Sequence, residues 1–364
     1  MRERRPIAGP AVGYALALPA GAILALVWAN VSHATYAPFA HALQFPVNDV
    51  GMVFFFALAA KEVADAMVPG GALHTWRRAA LPLIAAVGGM IVPALFYVAL
   101  VRQSPETALL RGWAIPCATD IAFSYLVVRF IYRRHPAVAF LLLLAIADDA
   151  LGLVILAIFY PPRALHLGIA AIVMAAALLA AFGLRRAGVR SFWPYLFAAG
   201  LVSWAALYLG GLHPALALVP IVPFLPRPHT LNRFAEWWTL PVQAVLFVFA
   251  LVNAGVPLRE YGLVTWAVLA GLVAGKPIGI AAAIVVAVAA GFQLPERFGW
   301  RDVAVVGCAS GIGFTVALFF ATASFPAGPM LDAAKIGALF SLGSAAVAVG
   351  SAKVLRSGRF SAGT

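Results

Sequence analysis

The chain has 364 residues, of which 64% are hydrophobic and 10% are charged, and its mean hydropathy is +0.98. Soluble domains carry about 25% charged residues, so this composition excludes a soluble globular enzyme, a disordered protein and a nucleic-acid-binding domain. The net charge of +12 is typical of arginines in the cytoplasmic loops of a membrane protein.

Twelve apolar stretches follow one another along the chain, most of them near the ~20 residues that a membrane-spanning helix needs. The eighth is short, and the fourth and eleventh are interrupted by glycine and polar residues. No long loop separates them, so the sequence predicts an all-α membrane protein with a single membrane-embedded domain over 1–364. The predicted spans are about 11–29, 50–67, 80–101, 113–131, 137–159, 165–184, 192–210, 212–225, 240–255, 262–290, 303–324 and 333–353.

Positive charges in the predicted loops indicate the orientation of the chain. With the N-terminus inside, 18 lysines and arginines fall on the inner side and five fall on the outer side. This bias follows the positive-inside rule and predicts that both termini are cytoplasmic. A cleaved signal peptide at MRERRPIAGP is the alternative, but its removal would break the alternation of charge.

Two similar segments lie 191 residues apart: CATDIAF at 117–123 in the fourth span and CASGIGF at 308–314 in the eleventh. By the loop charges they run in opposite directions, which is the signature of an inverted-topology repeat. Thr119, Ser310 and Gly311 interrupt the two spans near their middles, and irregular backbone survives at membrane depth only where it is buried or lines a cavity. The pattern predicts two discontinuous helices that cross at mid-membrane beside a transport site.

Four charged residues fall deep inside predicted spans: Asp120, Asp148, Asp149 and Lys276. Each costs roughly 2.5–3.5 kcal/mol at the bilayer centre, so these groups must be paired, protonated or hydrated. A purely stabilising bridge between one aspartate and Lys276 leaves Asp120 and the second member of the Asp pair unexplained. Two adjacent carboxylates repel each other, and such a pair can exchange a proton for a cation. We therefore predict an ion-binding site.

Asp120 lies next to Thr119 at the predicted break of the fourth span. Broken helices expose unsatisfied backbone groups and dipole ends. Asp120 can therefore neutralise facing helix N-termini, or it can be an ordinary helix cap, and the two roles are compatible.

Further polar residues lie near the predicted membrane borders. Lys61 and Asp65 are one helical turn apart and can pair. We expect Glu62 to point elsewhere, into a cytoplasmic funnel, with an interfacial ion cluster as the alternative. Of the seven histidines, only His213 in GLHPALA (211–217) lies where it can take part in chemistry, and an interfacial position is the alternative.

The residues described so far resemble the NhaA-type sodium–proton antiporters, and the resemblance runs from the first span to the last. Any one matching segment would be weak evidence, but five in order, each on the expected span, are highly specific. The five are GWAIPCATDIAF (112–123), AIADDALG (145–152), VNAGV (252–256), GLVAGKPIGI (271–280) and VGCASGIGFT (306–315).

The resemblance implies a role for each matching residue of the ion site. Asp149 corresponds to the main sodium ligand, Asp148 to the partner of an essential lysine, and Lys276 to that lysine. Thr119 and Asp120 match a Thr-Asp pair at the crossing of the unwound helices. These five residues are the predicted sites of ion binding and proton coupling.

Three more positions match residues implicated in the pH response of the family: Glu62, His213 and Glu236. The charged cluster that usually follows the Glu62 position is reduced to residues 63–66, with Lys61 added, and two usual histidines are Trp237 and Leu240 here. These departures leave the pH set-point open. The outer loop at about 30–48 lacks the β-hairpin through which family members dimerise, so a homodimer also stays open.

By resemblance, the chain is an electrogenic antiporter of the bacterial inner membrane. It exports sodium or lithium in exchange for protons by alternating access, and the ions compete at the Asp pair. The resemblance also implies that the chain is not an enzyme and needs no cofactor. The expected partners are membrane lipid, sodium and protons, and no nucleic acid is expected. The transport bundle is expected at about 80–159 and 262–353, and the interface layer at about 11–67 and 165–255.

Other functions remain as alternatives. A sodium-coupled symporter of an organic anion can share the fold, although a mid-membrane Asp pair facing a lysine suits small cations better. An intramembrane aspartyl protease also uses aspartates on two helices, but its Gly-x-Gly-Asp pattern is absent and a buried lysine would disturb the shared proton. A receptor or scaffold does not explain four mid-membrane charges.

Overall fold

The computed structural model describes residues 8–67, 76–133, 135–226 and 228–361, and for residues 8–16 and 76–79 it describes the backbone alone. Within these ranges the chain forms helices and no strand, which confirms the predicted all-α class. The α-helices are α1 (Ala8–Val31), α2 (His33–Phe45), α3 (Met52–Met67), α4 (Trp76–Val101), α5 (Ile121–Tyr132), α6 (Pro136–Phe159), α7 (Leu167–Arg186), α8 (Leu201–Leu209), α9 (His229–Asn253), α10 (Leu263–Ala270), α11 (Lys276–Ala289), α12 (Trp300–Ser310), α13 (Phe314–Ser324), α14 (Pro329–Phe340) and α15 (Ser344–Val354).

Six helical stretches of the described chain are long and apolar enough to cross a membrane on their own. Two bent pairs add two more spans if each pair is one: the 3-10 segment Thr107–Cys117 with α5, bent by 45°, and α12 with α13, bent by 49°. These pairs coincide with the fourth and eleventh predicted spans, which confirms the prediction of two discontinuous helices. The six single stretches are Ala80–Val101, Pro136–Phe159, Leu167–Arg186, His229–Asn253, Leu263–Ala289 and Pro329–Phe360.

The eighth predicted span is wrong as a helix. Residues 212–225 form turns and two short 3-10 segments, Pro214–Leu216 and Val222–Phe224. Pro214, Pro220 and Pro223 have no backbone N–H to donate, and proline also clashes with the preceding turn of an α-helix. The apolar composition of this stretch therefore reflects burial in irregular structure and not a spanning helix.

The expected outer loop at 30–48 contains the helix α2 and no strand, and all of its residues are described. Its Tyr36 is 3% exposed, and the Tyr36 hydroxyl donates to the Val252 carbonyl oxygen (2.9 Å) and accepts from the Gly255 N–H (3.0 Å). Asn48 and Asn253 exchange amide hydrogen bonds of 3.2 and 2.9 Å. The Tyr36 contacts satisfy backbone groups at the C-terminal end of α9, which would otherwise lack partners, whereas the Asn48–Asn253 bonds join two buried side chains.

The chain divides into two compact units. The described residues of the first unit fall within Met1–Leu16, Met67–Gly152 and Val256–Thr364, and those of the second fall within Ala17–Ala66 and Leu153–Gly255. The four charges predicted to lie deep in the membrane all belong to the first unit. The roles of transport bundle and interface layer stay predictions, with the boundaries given above.

In the first unit, α4 and α11 pack closely in opposite directions. A Cβ atom on Gly88 or on Gly279 would overlap the carbonyl oxygen of the other glycine, and further along the pair Pro93 lies against Gly275. From the first contact to the second, the residue number rises along α4 (88 to 93) and falls along α11 and the segment before it (279 to 275). The two helices are therefore antiparallel. Gly88 and Gly279 are also 191 residues apart, the same separation as the two broken segments, so the first helices of the two repeats cross at equivalent positions.

The orientation of the chain in the membrane, with both termini cytoplasmic, stays a prediction. It rests on loop charges, and several of the inner ones lie outside the described residues: Arg2, Arg4, Arg5, Arg134 and Arg227. Arg77 and Arg78 are described only by their backbone.

Candidate ion site

The two helix breaks meet and run in opposite directions, as the inverted repeat predicts. The first break is residues 118–120 and the second is residues 311–313. The Asp120 N–H donates to the Ile312 carbonyl oxygen (2.6 Å), and the Ser124 hydroxyl donates to the Ala309 carbonyl oxygen (2.8 Å). Further along, the Tyr132 hydroxyl donates to Asp302 (2.8 Å), so α5 and α12 are antiparallel. The predicted crossing is thereby confirmed.

Asp120 caps two helices at this crossing. Its Oδ1 accepts from the Phe123 N–H at the start of α5 (3.1 Å), and its Oδ2 accepts from the Thr315 N–H at the start of α13 (3.2 Å). The Thr315 hydroxyl donates to the same Oδ2 atom. Helix N-termini carry a partial positive charge, so this one carboxylate, 5% exposed, stabilises both N-termini at once. The side chain thus acts both as a cap and as the counter-charge of facing helix dipoles.

Lys276 and Asp148 form a buried ion pair. The Lys276 Nζ lies 2.6 Å from Asp148 Oδ2, and the exposed fractions of the two side chains are 0% and 1%. Lys276 begins α11 directly after the π-helical segment Gly271–Gly275, and such interruptions of an α-helix are frequent at functional sites. Lys276 also donates to the Cys117 carbonyl oxygen, at the end of the 3-10 segment where backbone acceptors lack helical partners.

Thr119 connects the ion pair to the helix crossing. Its hydroxyl lies 2.6 Å from Asp148 Oδ2 and 3.1 Å from the Ser310 carbonyl oxygen. A hydroxyl has one hydrogen to donate, so Thr119 shares it between these two acceptors. Asp148 Oδ2 therefore receives Lys276 and Thr119 together, whereas Asp148 Oδ1 is buried and has no hydrogen-bond partner in the part of the chain that the structure describes.

Asp149 differs from its neighbour. It is half-buried, and its carboxylate has no hydrogen bond or ion pair within the described residues. The charges that act on it are those of Asp148, Asp120 and Lys276. The Asp pair is thus asymmetric, with one carboxylate held by a cation and a hydroxyl and the other left available.

The sequence reasoning missed several groups of this site. Thr315, the second donor to Asp120, lies inside the matching segment 306–315, and its place just after a glycine-flanked break was the available signal. The Cys117 carbonyl is backbone and leaves no signal in the side chains. Ser341 and Ser344 contact the second break; both lie in the last predicted span, the repeat counterpart of the span that carries the Asp pair.

The residues predicted to govern the pH response all lie in the second unit. Glu62 does not point away from its neighbours, as was expected: the Lys61 Nζ lies 3.4 Å from Glu62 Oε1 and 3.0 Å from Asp65 Oδ2. The long lysine side chain reaches both carboxylates, as in the ion-cluster alternative, and the Glu62 side chain is 46% exposed. A cytoplasmic funnel at Glu62 stays a prediction. Glu236 is exposed on α9, whereas His213 is 8% exposed and precedes the 3-10 segment Pro214–Leu216.

Comparison with known proteins decides the family. The family model described as Na+/H+ antiporter 1 matches residues 11–354. The chain belongs to this family. The Na(+)/H(+) antiporter NhaA 1 of Pelobacter propionicus is 44% identical over 366 residues, which cover 94% of this chain and 96% of that protein. The resemblance to NhaA-type sodium–proton antiporters is therefore confirmed.

Two further similarities fit this family. The NhaA antiporter of Desulfitobacterium hafniense is 44% identical over 368 residues, with 94% of each chain covered. The structure of the sodium proton antiporter MjNhaP1 from Methanocaldococcus jannaschii superposes with a TM-score of 0.60 over 95% of this chain and 96% of that chain, at 12% identity. At this low identity the second similarity concerns the fold alone, and it supports the all-helical fold.

Proposed function

We propose that this chain exchanges sodium or lithium ions for protons, with Asp149 as the shared binding group. The observation that carries the proposal is the asymmetry of the Asp pair. Asp148 is bound through Oδ2 by Lys276 and Thr119, whereas its half-buried neighbour Asp149 has no partner within the described residues.

The charges of the site explain why the two ions compete. With Asp149 protonated, the positive charge of Lys276 balances Asp148 and no net charge remains on the three groups. Once Asp149 ionises, the site carries one excess negative charge, which attracts a small hard cation to carboxylate and backbone oxygens. Arrival of sodium thus requires that the proton has left, and exchange follows from sharing one group.

Three finer features complete the proposal. The exchange is electrogenic and proceeds by alternating access, with the proton gradient driving sodium out of the cell. The chain lies in a bacterial inner membrane with both termini cytoplasmic, which the bias of loop charge supports. It uses no cofactor, because the transported ions and the charged side chains account for the chemistry.

Purified protein in proteoliposomes tests this proposal directly. With a pH-sensitive dye inside acidified vesicles, we expect added sodium or lithium to drive proton release and potassium to drive none. A voltage-sensitive dye should report a membrane potential, because electrogenic exchange moves unequal charge. Absence of sodium-dependent proton movement in correctly folded protein contradicts the proposal.

The alternative is a sodium-coupled symporter of an organic anion with the same fold. It predicts sodium-dependent uptake of an anion and little proton movement in the same vesicles. The described site offers one lysine, already paired with Asp148, so no free cation is left there to bind an anion. This observation favours the antiporter.

We expect neutralisation of Glu62, His213 or Glu236 to move the pH dependence of exchange more than its maximal rate. Glu62→Gln removes one of the two carboxylates beside Lys61 and so changes the local field at that lysine. Initial rates measured across the pH range check the prediction. Glu296→Gln, at another exposed glutamate, is the matched control and should leave the profile unchanged.

Loss of all transport at every pH would instead place these residues in the ion site. An unchanged profile for all three variants would leave them with interfacial roles alone.

A further inference from the structure

The backbone of the second helix break is held by two serines from the junction of α14 and α15. Ser341 begins the 3-10 turn Ser341–Gly343 at this junction, Ser344 directly follows it, and the two are 0% and 1% exposed. The Gly313 N–H donates to Ser341 Oγ, and the Ser344 hydroxyl donates to the Gly311 carbonyl oxygen, both at 3.2 Å. The two serines therefore supply one acceptor and one donor to the same unwound stretch.

These bonds satisfy groups that the break leaves open. The last carbonyl groups of α12 and the first N–H groups of α13 have no helical partners. A buried polar group without a partner costs about 1–3 kcal/mol, so the unwound conformation needs such contacts to persist. Without them, conversion of residues 311–313 into helix becomes more favourable.

The same stretch contacts the ion site at each end. The Ser310 carbonyl oxygen accepts from Thr119, and the Ile312 carbonyl oxygen accepts from the Asp120 N–H. Thr315, just beyond the break, donates its N–H and hydroxyl to the Asp120 carboxylate. A change in the shape of the break would therefore displace the partners of both Thr119 and Asp120.

In each repeat, the third helix lies against the helix break of that repeat. In the first repeat, α6 supplies Asp148, which accepts from Thr119 at the first break. In the second repeat, the α14–α15 junction supplies Ser341 and Ser344 to the second break. Each break is thus stabilised by polar side chains of the third helix in its own repeat: the Asp148 carboxylate at the first break and two serine hydroxyls at the second.

We propose that Ser341 and Ser344 are positioning residues for ion binding: they keep residues 311–313 unwound and so hold Thr119 and Asp120 in place beside the Asp pair. The inference rests on the proposed function and deepens it. Within the described residues the serines have no hydrogen bond to the Asp pair. They act through the backbone between Ser310 and Thr315.

The double variant Ser341→Ala/Ser344→Ala tests this role in the full-length protein. We expect the apparent KM for sodium to rise about tenfold, the change in affinity that loss of one buried hydrogen bond can produce. The maximal rate at saturating sodium should stay within about twofold of the wild-type rate, because the Asp pair itself is intact. Each single variant should give an intermediate KM.

The melting temperature of the purified protein provides a second reading, since a bound ion stabilises the folded state by mass action. At a fixed low sodium concentration, the stabilisation by sodium should be smaller in the double variant than in the wild type. Ser324→Ala is the matched control, because Ser324 is also buried in the first unit and donates only within its own helix, to Phe320 (2.7 Å). Its KM and its sodium-dependent stabilisation should equal those of the wild type.

An unchanged KM for sodium in the double variant overturns the inference. A rise in KM that Ser324→Ala shows to the same extent overturns it too, because the effect would then follow from the loss of any buried serine. The two readings also separate this inference from the proposed function. If sodium stabilises the wild type but drives no proton release, the proposed exchange fails. The melting temperatures of the wild type and the double variant then still show whether the serines affect sodium binding. If sodium does neither, both proposals fall.

Discussion

We expect Asp149→Asn to abolish sodium-driven proton exchange at every pH while the protein still inserts and folds. Asparagine keeps the shape of the side chain, but it can neither ionise nor carry a proton. Asp149 has no hydrogen bond or ion pair within the described residues, so its replacement breaks no contact there. The loss should therefore appear in transport and not in stability, and proton release from proteoliposomes together with the melting temperature measures both.

Two further variants sharpen this experiment. Asp149→Glu keeps the charge and moves it by one methylene, so we expect weak exchange with poorer sodium affinity. Asp332→Asn makes the same isosteric change at the start of α14, outside the site, and should transport normally. Exchange by Asp149→Asn at close to the wild-type rate would refute the assignment and direct attention to Asp148 or Asp120.

The large features of the fold could be predicted because they depend on one-dimensional patterns. The broken helices were visible as CATDIAF and CASGIGF, since their separation and their interrupting residues are both properties of the sequence. The crossing of these breaks follows from the inverted repeat. The segment 212–225 was predicted wrongly because apolar composition reports burial, whereas its prolines decide against a helix.

The site could be predicted in its charged residues but not in its backbone partners. Charges within apolar spans are costly, so Asp120, Asp148, Asp149 and Lys276 were conspicuous. The Cys117 carbonyl oxygen accepts from Lys276, and no side-chain pattern reports such a contact. The contact between Lys61 and Glu62 was missed for another reason: a flexible lysine can reach two carboxylates, and helical spacing alone favours only the one a turn away.

The small polar residues of the site were hidden by their frequency. Serine and threonine occur throughout membrane helices, so Thr315, Ser341 and Ser344 do not stand out from others such as Ser324. What distinguishes them is the atom they bond. Ser324 donates within its own helix. Ser341 also donates within its helix, to the Ala338 carbonyl oxygen, but Ser341 and Ser344 in addition bond backbone groups of the second break, which only the folded structure shows.

The remaining large effect concerns the buried ion pair. We expect Lys276→Ala to destabilise the protein by about 3–5 kcal/mol, the usual loss when one partner of a buried pair is removed. The change leaves Asp148 with Thr119 as its one described partner and deprives the Cys117 carbonyl oxygen of its donor. A clear fall in melting temperature, measured in detergent at constant sodium, checks the expectation.

A second ion pair of the same chain is the natural control. The Lys61–Asp65 pair has a similar distance of 3.0 Å, but its side chains are 16% and 37% exposed. Because water and salt screen such a pair, Lys61→Ala should cost less than about 1 kcal/mol. The contrast between the two lysine variants then isolates the effect of burial.

The double variant Lys276→Ala/Asp148→Asn distinguishes the loss of the ion pair from the loss of the lysine side chain's packing. Removing both charges leaves no buried ion without a partner, so the double variant should recover most of the stability that Lys276→Ala loses. Asparagine can still accept the hydrogen bond from Thr119, so the link to the helix crossing is kept. If Lys276→Ala melts like the wild type, or if the double variant is as unstable as the single one, Lys276 and Asp148 do not stabilise each other as a buried pair.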